Sequence, residues 1–558
     1  MGLVGSETAK VWELVDGWSD RKLYQGKNIK ELFTYDDASL WWFMGYWFVN
    51  KVRYLPYNIG DLYLAVKRGK DLKRFDDEAK WRVFRTKMHS RLMDARLFAR
   101  RVLTRNRRRG PQKPSKDGKR VLVLAKSTSM RPMKDKKTGK TKIGNVYLDT
   151  VMQRLEERGF ELVKVERTFG INKDWKRLTG ARGWTALESY QPDGIDNLAS
   201  DGTKGVNELW GKVRPKVQGT FIFGGHDLSK YISSSLDVLF ETRVPQIITL
   251  IETMKNMLDI ENPDAVLFIS DTRDTERAII VAAKQKGVPT FGLIHGAFSD
   301  ELWFYKHKKG EIAQDLSYKA PFSPTPDYLL VYGPADKEWL RRNNYPPKAI
   351  AVTGQPMYDV LANADKLYDR KRTCEKLGID SKKKIILLAT GTHALPKEES
   401  VLTLRESYKA AKELSSEVEL VLKLHPNEGL MDLYEKTSEE TGVHPKILKK
   451  HDFFELLYAC DVLMQNHSNA AIEAMILGKP VISLNFVEED ILGAVKEGAS
   501  LQVTKPGQLT AAIKKTLFDE KTRQGLKAGA ERFLYKRLFK TDGKASDRIC
   551  DFIEKVTA

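Results

Sequence analysis

The sequence predicts an α/β protein of two doubly wound, Rossmann-like parallel-sheet domains facing across a cleft, preceded by a helical extension. Three observations predict it. Short apolar runs alternate with helical spacings on both sides of a turn-rich connector at 354–359, as parallel sheets covered by helices require. Several runs stop at a polar turn that opens a helix, where such sheets bind ligands. A chain of 558 residues, 41% hydrophobic and 30% charged, is globular and long enough for more than one domain.

Residues 1–104 read as a helical extension, with apolar positions at helical spacing in D-E-A-K-W-R-V-F-R-T-K-M-H-S-R-L-M-D-A-R-L-F-A-R-R-V-L. Gly, Pro and charge combine in 105–119, which reads as a linker. Domain 120–353 follows. Its strands are predicted at 120–125, 160–165, 264–270, 290–294 and 326–333, and its helices at 146–158, 233–259 and 275–286; 217–224 reads as strand or loop. Domain 354–528 repeats the pattern with strands at 384–390, 418–424, 461–465 and 480–485, and 529–558 returns to helix.

The net charge of +20 is uneven: residues 1–120 hold 28 Lys/Arg against 14 Asp/Glu and six of the eleven tryptophans. Basic charge beside aromatics suits an anionic membrane surface or an anionic lipid-linked substrate, and equally a helical cap with core tryptophans and solvated arginines; nucleic acid ranks behind both. The most apolar run, Leu40 to Val49, is too short to span a bilayer, and no apolar signal-like region opens the chain. Cys374, Cys460 and Cys550 lie far apart, against a disulfide framework or a structural zinc site. A cytoplasmic protein is expected, peripheral at the inner face of the cell membrane if the extension binds lipid.

Chemistry-bearing residues gather at strand ends. In L-F-I-S-D-T-R-D-T-E-R, 267–277, Asp271 directly follows a strand and Glu276 falls in the next helix's first turn. A carboxylate there can take a proton from an attacking hydroxyl; Asp271 or Thr275 can equally cap the helix. His295 ends the next strand, before Gly296, and is the third candidate base. In the second domain, Gly391 and Thr392 follow its first strand, where backbone N–H groups can reach a diphosphate. V-E-L-V-L-K-L-H-P-N, 418–427, ends at His425, whose imidazole can donate to a phosphate oxygen, with Lys423 nearby or turned to the other face. Ser468 and Asn469 open a helix and either cap it or meet phosphate. Glu473, one turn on, can accept from ribose hydroxyls or pair with Lys479. There is no Walker loop, G-x-G-x-x-G or spaced Cys/His set, so no cofactor is expected and no motif asks for a metal.

With these residues in place, 119–558 resembles the GT-B superfamily of nucleotide-sugar enzymes, nearest the capsule and surface-polysaccharide glycosyltransferases, whose relatives include Kdo transferases and polysialyltransferases. L-K-L-H-P at 422–426 is similar to their donor-phosphate His-Pro element, and H-S-N-A-A-I-E-A-M-I-L-G-K-P-V-I at 467–482 to the phosphate-binding turn and helix that follow. I-H-G at 294–296, D-G-K-A-S-D-R-I at 542–549 and L-W-W-F at 40–43 are similar to further elements of that group. The resemblance implies a nucleotide-sugar donor on Gly391, Thr392, His425, Ser468, Asn469 and Glu473. It also implies transfer to a glycan or lipid-linked acceptor, with Asp271, Glu276 or His295 as base. D-T-R-D-T-E-R departs from the acidic pair and glycine of polysialyltransferases, which leaves the base open. UDP-N-acetylglucosamine 2-epimerases share the fold and an acidic strand-end segment, and CDP-glycerol polyol transferases share the His-Pro region. A sugar-nucleotide epimerase, a polyol phosphotransferase and a non-catalytic scaffold or RNA-binding protein on the same frame are the alternatives.

Overall fold

The computed structural model describes residues 5–49, 57, 59–104, 118–126, 130–134, 141–167, 183–270, 272–296, 298, 302–391, 395, 397–425, 428, 431–466, 468–486, 490 and 492–558. The linker segment 105–117 and the site candidates Asp271 and Thr392 lie outside them.

The extension contributes helices α1 (Gly5–Ser19), α2 (Trp41–Val49), α3 (Ile59–Lys67) and the long α4 (Ala79–Thr104). The run at 40–49 is core: Trp41 and Trp42 are fully buried, with Trp18, Phe33 and Phe48, in the same cluster as Phe221 and Phe240 of the first α/β half. Polar handles fix these rings, Trp18 Nε1 donating to Thr220 Oγ1 (2.9 Å) and Trp42 Nε1 to the Pro321 carbonyl (2.7 Å). Lys30, equally buried, bonds Asp16 (3.1 Å), Asp20 (2.7 Å) and Glu311 (2.5 Å), so the charge is compensated where water cannot reach it. Trp41, Trp42, Phe43 and Phe48 of this run are therefore core residues, as the capping reading of the extension's tryptophans expects.

The first half comprises β1 (Arg120–Lys126), α5 (Asp149–Glu157), β2 (Glu161–Arg167), β3 (Thr185–Ala186), α6 (Ile195–Val213), α7 (Ser229–Thr242), α8 (Val244–Glu261), β4 (Ala265–Ile269), α9 (Asp274–Gln285), β5 (Thr290–Leu293), β6 (Tyr328–Val331), α10 (Pro334–Arg342) and β7 (Ile350–Val352). Its seven strands are all parallel, in the order β7-β6-β5-β4-β1-β2-β3. The single helix expected over 233–259 is two, broken at Arg243, with Pro245 opening the second. Residues 222–223 form a two-residue strand paired with 226–227 rather than joining the sheet.

The second half holds β8 (Lys384–Ala389), α11 (Lys397–Glu413), β9 (Val418–Lys423), β10 (Lys446–Leu448), α12 (Phe453–Ala459), β11 (Val462–Gln465), α13 (Ala470–Ile476), β12 (Val481–Leu484) and β13 (Leu501–Val503). These strands run parallel in the order β10-β9-β8-β11-β12-β13. Each sheet therefore starts in its middle and reverses direction, between β1 and β4 and between β8 and β11. A crevice opens at such a switch point.

Two closing helices, α14 (Glu520–Leu538) and α15 (Ala545–Thr557), tie the halves together. Ile549, Cys550 and Ile553 of α15 sit in the core of the first sheet beside Val121 and Val123. Gly333 lies against α14: a Cβ there would stand 2.5 Å from the Arg537 carbonyl carbon. The connector is clamped by the start of α15. The Asp359 carboxylate accepts from the N–H groups of Ala545 (2.9 Å) and Ser546 (2.8 Å), and Arg548 Nε donates to the Thr353 carbonyl (2.8 Å). Gly354, at φ +87°, leaves room for the Arg548 guanidinium. The D-G-K-A-S-D-R-I segment is thus a structural clasp. Asp359→Ala orphans two buried donors and is expected to cost about 2 kcal/mol, read as a lower urea midpoint, while Asp359→Asn, which keeps one acceptor, loses less.

Candidate functional site

Each switch point ends in polar turns, and the connector that carries Tyr358 runs between the two halves. On the second sheet, the Thr390 N–H donates to the Lys423 carbonyl (3.1 Å) and Thr390 Oγ1 accepts from the His425 N–H (3.2 Å), which sets the turns after β8 and β9 side by side. Gly391 follows Thr390 with open space where a Cβ would point. Lys423 turns away, donating to the carbonyls of Leu424 (2.9 Å) and Lys449 (3.1 Å).

The turn after β11 is held from beneath by two side-chain amides. Gln465 Oε1 accepts from the Ser468 N–H (2.7 Å) and its Nε2 donates to Ser483 Oγ (3.0 Å). Asn466 Nδ2 donates to Thr403 Oγ1 (3.1 Å) and the Leu484 carbonyl (2.9 Å). Ser468 Oγ accepts from the Ala470 N–H (3.2 Å), so the hydroxyl caps the short helix α13, while Asn469 is exposed and makes no cap bond. Glu473 projects from that helix. Among the described residues it has no ion pair with Lys479, whose ammonium lies over the Tyr458 ring, 5.6 Å from its centroid. Burial pushes the Glu473 carboxyl up to about 8, so it is largely protonated at neutral pH.

On the first sheet, Lys126 at the end of β1 pairs with Glu276 (2.5 Å). Glu276 is buried, and its second oxygen has no hydrogen-bond partner among the described residues. Ser270 ends β4 in the left-handed region (φ 69°), held by Tyr305 OH at 3.0 Å. Such strain in a non-glycine residue gathers at functional sites. His295 is exposed just after the end of β5. Desolvation of its ring, then the charges of Lys126 and Arg273, hold the imidazole below its usual range, hence neutral.

Tyrosines join the two walls. The Tyr147 ring stands edge-on to His295, 6.2 Å between centroids. The Tyr358 hydroxyl, on the connector, is pushed well up by burial and then by the charges of Glu473 and Tyr147; Tyr332, at the end of β6, is raised by burial, Tyr358 and Tyr147. Glu473 and His295, from different halves, therefore belong to one constellation with Tyr147, Tyr332 and Tyr358. Sequence reasoning missed these tyrosines, because aromatic residues at strand ends and in a connector read as core. It also missed Lys126, whose only signal is a lysine at the end of a buried strand.

Two doubly wound parallel sheets, each with its own switch point and tied together by the closing helices, have the GT-B-like architecture. The family model described as UDP-N-acetylglucosamine 2-epimerase matches residues 215–554, and the chain belongs to that family. No curated protein matches the chain at a significant level. Among solved structures, the UDP-GlcNAc 2-epimerase of Neisseria meningitidis bound to UDP-GlcNAc is 14% identical, with a TM-score of 0.48, covering 78% of this chain and 100% of that one. The epimerase of Methanocaldococcus jannaschii is 13% identical (TM-score 0.43; 74% and 98% covered). The wall teichoic acid polymerase TagF is 14% identical (TM-score 0.43; 85% and 97% covered).

The raised Glu473 carboxyl has a pH consequence. The unfolded chain releases this proton near the ordinary 4.5, whereas the folded chain keeps it to about 8, so folding stability falls as pH rises between those values. Thermal unfolding across this range is expected to show wild type losing ground steadily against Glu473→Gln, with the gap levelling off above about 8. A constant gap would contradict the burial of Glu473.

Proposed function

We propose that the chain binds a UDP-linked sugar in this cleft and transfers the sugar to a hydroxyl of a glycan or lipid-linked acceptor. The observation that carries the reading is the pairing of a neutral imidazole on one wall with a protonated carboxyl on the other. His295 takes the proton of the attacking hydroxyl as the bond to the anomeric carbon forms. The diphosphate leaves from the turns at Gly391, His425, Ser468 and Asn469, where the His425 imidazole and the Ser468 hydroxyl are available to donate to the charge that develops on it. Glu473, neutral, donates to a sugar or ribose oxygen. Glu276 is a positioning residue, because it pairs with Lys126 (2.5 Å), whose charge acts on His295. A hydroxyl nucleophile needs one base on the acceptor wall, and His295 supplies it.

The family assignment favours a second reading, epimerisation of the sugar at C2 without an acceptor. The two separate cleanly. Incubated with UDP-N-acetylglucosamine alone, a transferase leaves the sugar nucleotide unchanged until an acceptor is added, whereas an epimerase converts it, as NMR shows directly. Under the transfer reading His295→Asn is expected to lower turnover about 10²–10⁴-fold with donor affinity retained; undiminished turnover would remove His295 from the mechanism. His425→Ala is expected to weaken donor binding.

A further inference from the structure

Helix α4 wears its polarity inside out. The side facing the protein is polar: Thr86 and Thr104 are buried, Arg100 pairs with Glu188 (3.1 Å) with both side chains out of solvent, Lys87 pairs with Glu241 (2.5 Å) and Arg101 with Asp196 (2.7 Å), and Asp94 accepts from Gln246 (2.7 Å). The side facing outward is apolar. Trp81 is 61% exposed and Phe98 60%, Phe84, Met88 and Leu92 are exposed between them, and Val102 is exposed one turn further on. Residues 81, 84, 88, 92 and 102 recur at helical spacing and share one face. More than half of the exposed large apolar side chains among the described residues lie on this single helix. Trp81 and Phe84 stack in the open, ring centroids 5.7 Å apart.

An amphipathic helix on a globular protein normally buries its apolar stripe. Here ion pairs hold the stripe out, so something other than the chain's own core must cover it. The charges beside it choose the occupant. Arg85, Arg91 and Arg96 are exposed around the stripe, in a segment, 1–120, with twice as many basic as acidic residues. A second copy of the chain would oppose these arginines to one another, and a nucleic acid would leave the tryptophan, phenylalanines and aliphatics uncovered. An anionic bilayer satisfies both, with apolar side chains in the interface and guanidinium groups among the headgroup phosphates. We propose that the outer face of α4 seats on an anionic phospholipid membrane. No helix among the described residues is long and apolar enough to cross one, so the contact is interfacial. The proposal is independent of the reaction assigned to the cleft.

The test is co-sedimentation of the full chain with vesicles of phosphatidylcholine, with and without about 30% phosphatidylglycerol. Binding to the anionic vesicles is expected, falling about tenfold or more for Trp81→Glu/Leu92→Glu, whose exposed positions leave the fold and circular dichroism unchanged. Arg85→Glu/Arg96→Glu is expected to abolish the preference for anionic lipid while leaving the weak residual affinity for neutral vesicles, and it keeps the test open if the first variant misfolds. Three results would overturn the proposal: no binding to anionic vesicles, a wild-type dimer that Trp81→Glu/Leu92→Glu splits into monomers, or RNA binding that displaces the vesicles and survives Trp81→Glu/Leu92→Glu.

Discussion

The cleft depends on the clamp that Asp359 and Arg548 make between the connector and the last helix. A chain with two parallel sheets joined by one connector would leave their switch points free to swing apart. Here α15 returns from the second half into the core of the first sheet, through Ile549, Cys550 and Ile553. Asp359 then fixes the connector to the start of that helix through two backbone donors. The same connector carries Tyr358, which lies within electrostatic reach of Glu473 on one side and Tyr147 on the other. The clasp thus fixes the connector segment that carries Tyr358.

With the halves fixed, electrostatics divides labour across the cleft. On the first wall, desolvation and then the charges of Lys126 and Arg273 keep His295 neutral and able to accept a proton. On the second wall, burial keeps the Glu473 carboxyl protonated, and the amides of Gln465 and Asn466 hold the turn without ionic groups. Paired environments that push titratable groups in opposite directions are how acid and base roles separate at one pH.

The long central strands were legible from sequence because they are buried on both faces and read as continuous apolar runs; β1, β4, β8 and β9 fall within a residue or two of their predicted bounds. The edge strands β7, β10 and β13 were not, since each is three residues long and partly exposed. The run at 40–49 was legible as apolar but not as core, because burial there comes from Phe221 and Phe240, far away in the chain. Glu473 and His295 could be picked out at strand and helix ends, but their protonation states depend on neighbours supplied by tertiary packing. Likewise α4 was legible as a helix, and only its ion pairs to Glu188, Glu241 and Asp196 reveal which face turns outward.

The extension packs on the first half of the molecule, through the cluster that holds Phe221 and Phe240, so a membrane seated on α4 would lie against that half. The central claim, that one ligand bridges the two switch points, is tested most directly by a crystal structure of the chain with UDP-N-acetylglucosamine. The account predicts the diphosphate over the turns at Gly391, His425 and Ser468, with the sugar between Glu473 and His295. A diphosphate resting on the Lys126 and Arg273 side, with the sugar pointing away from Glu473, would contradict it.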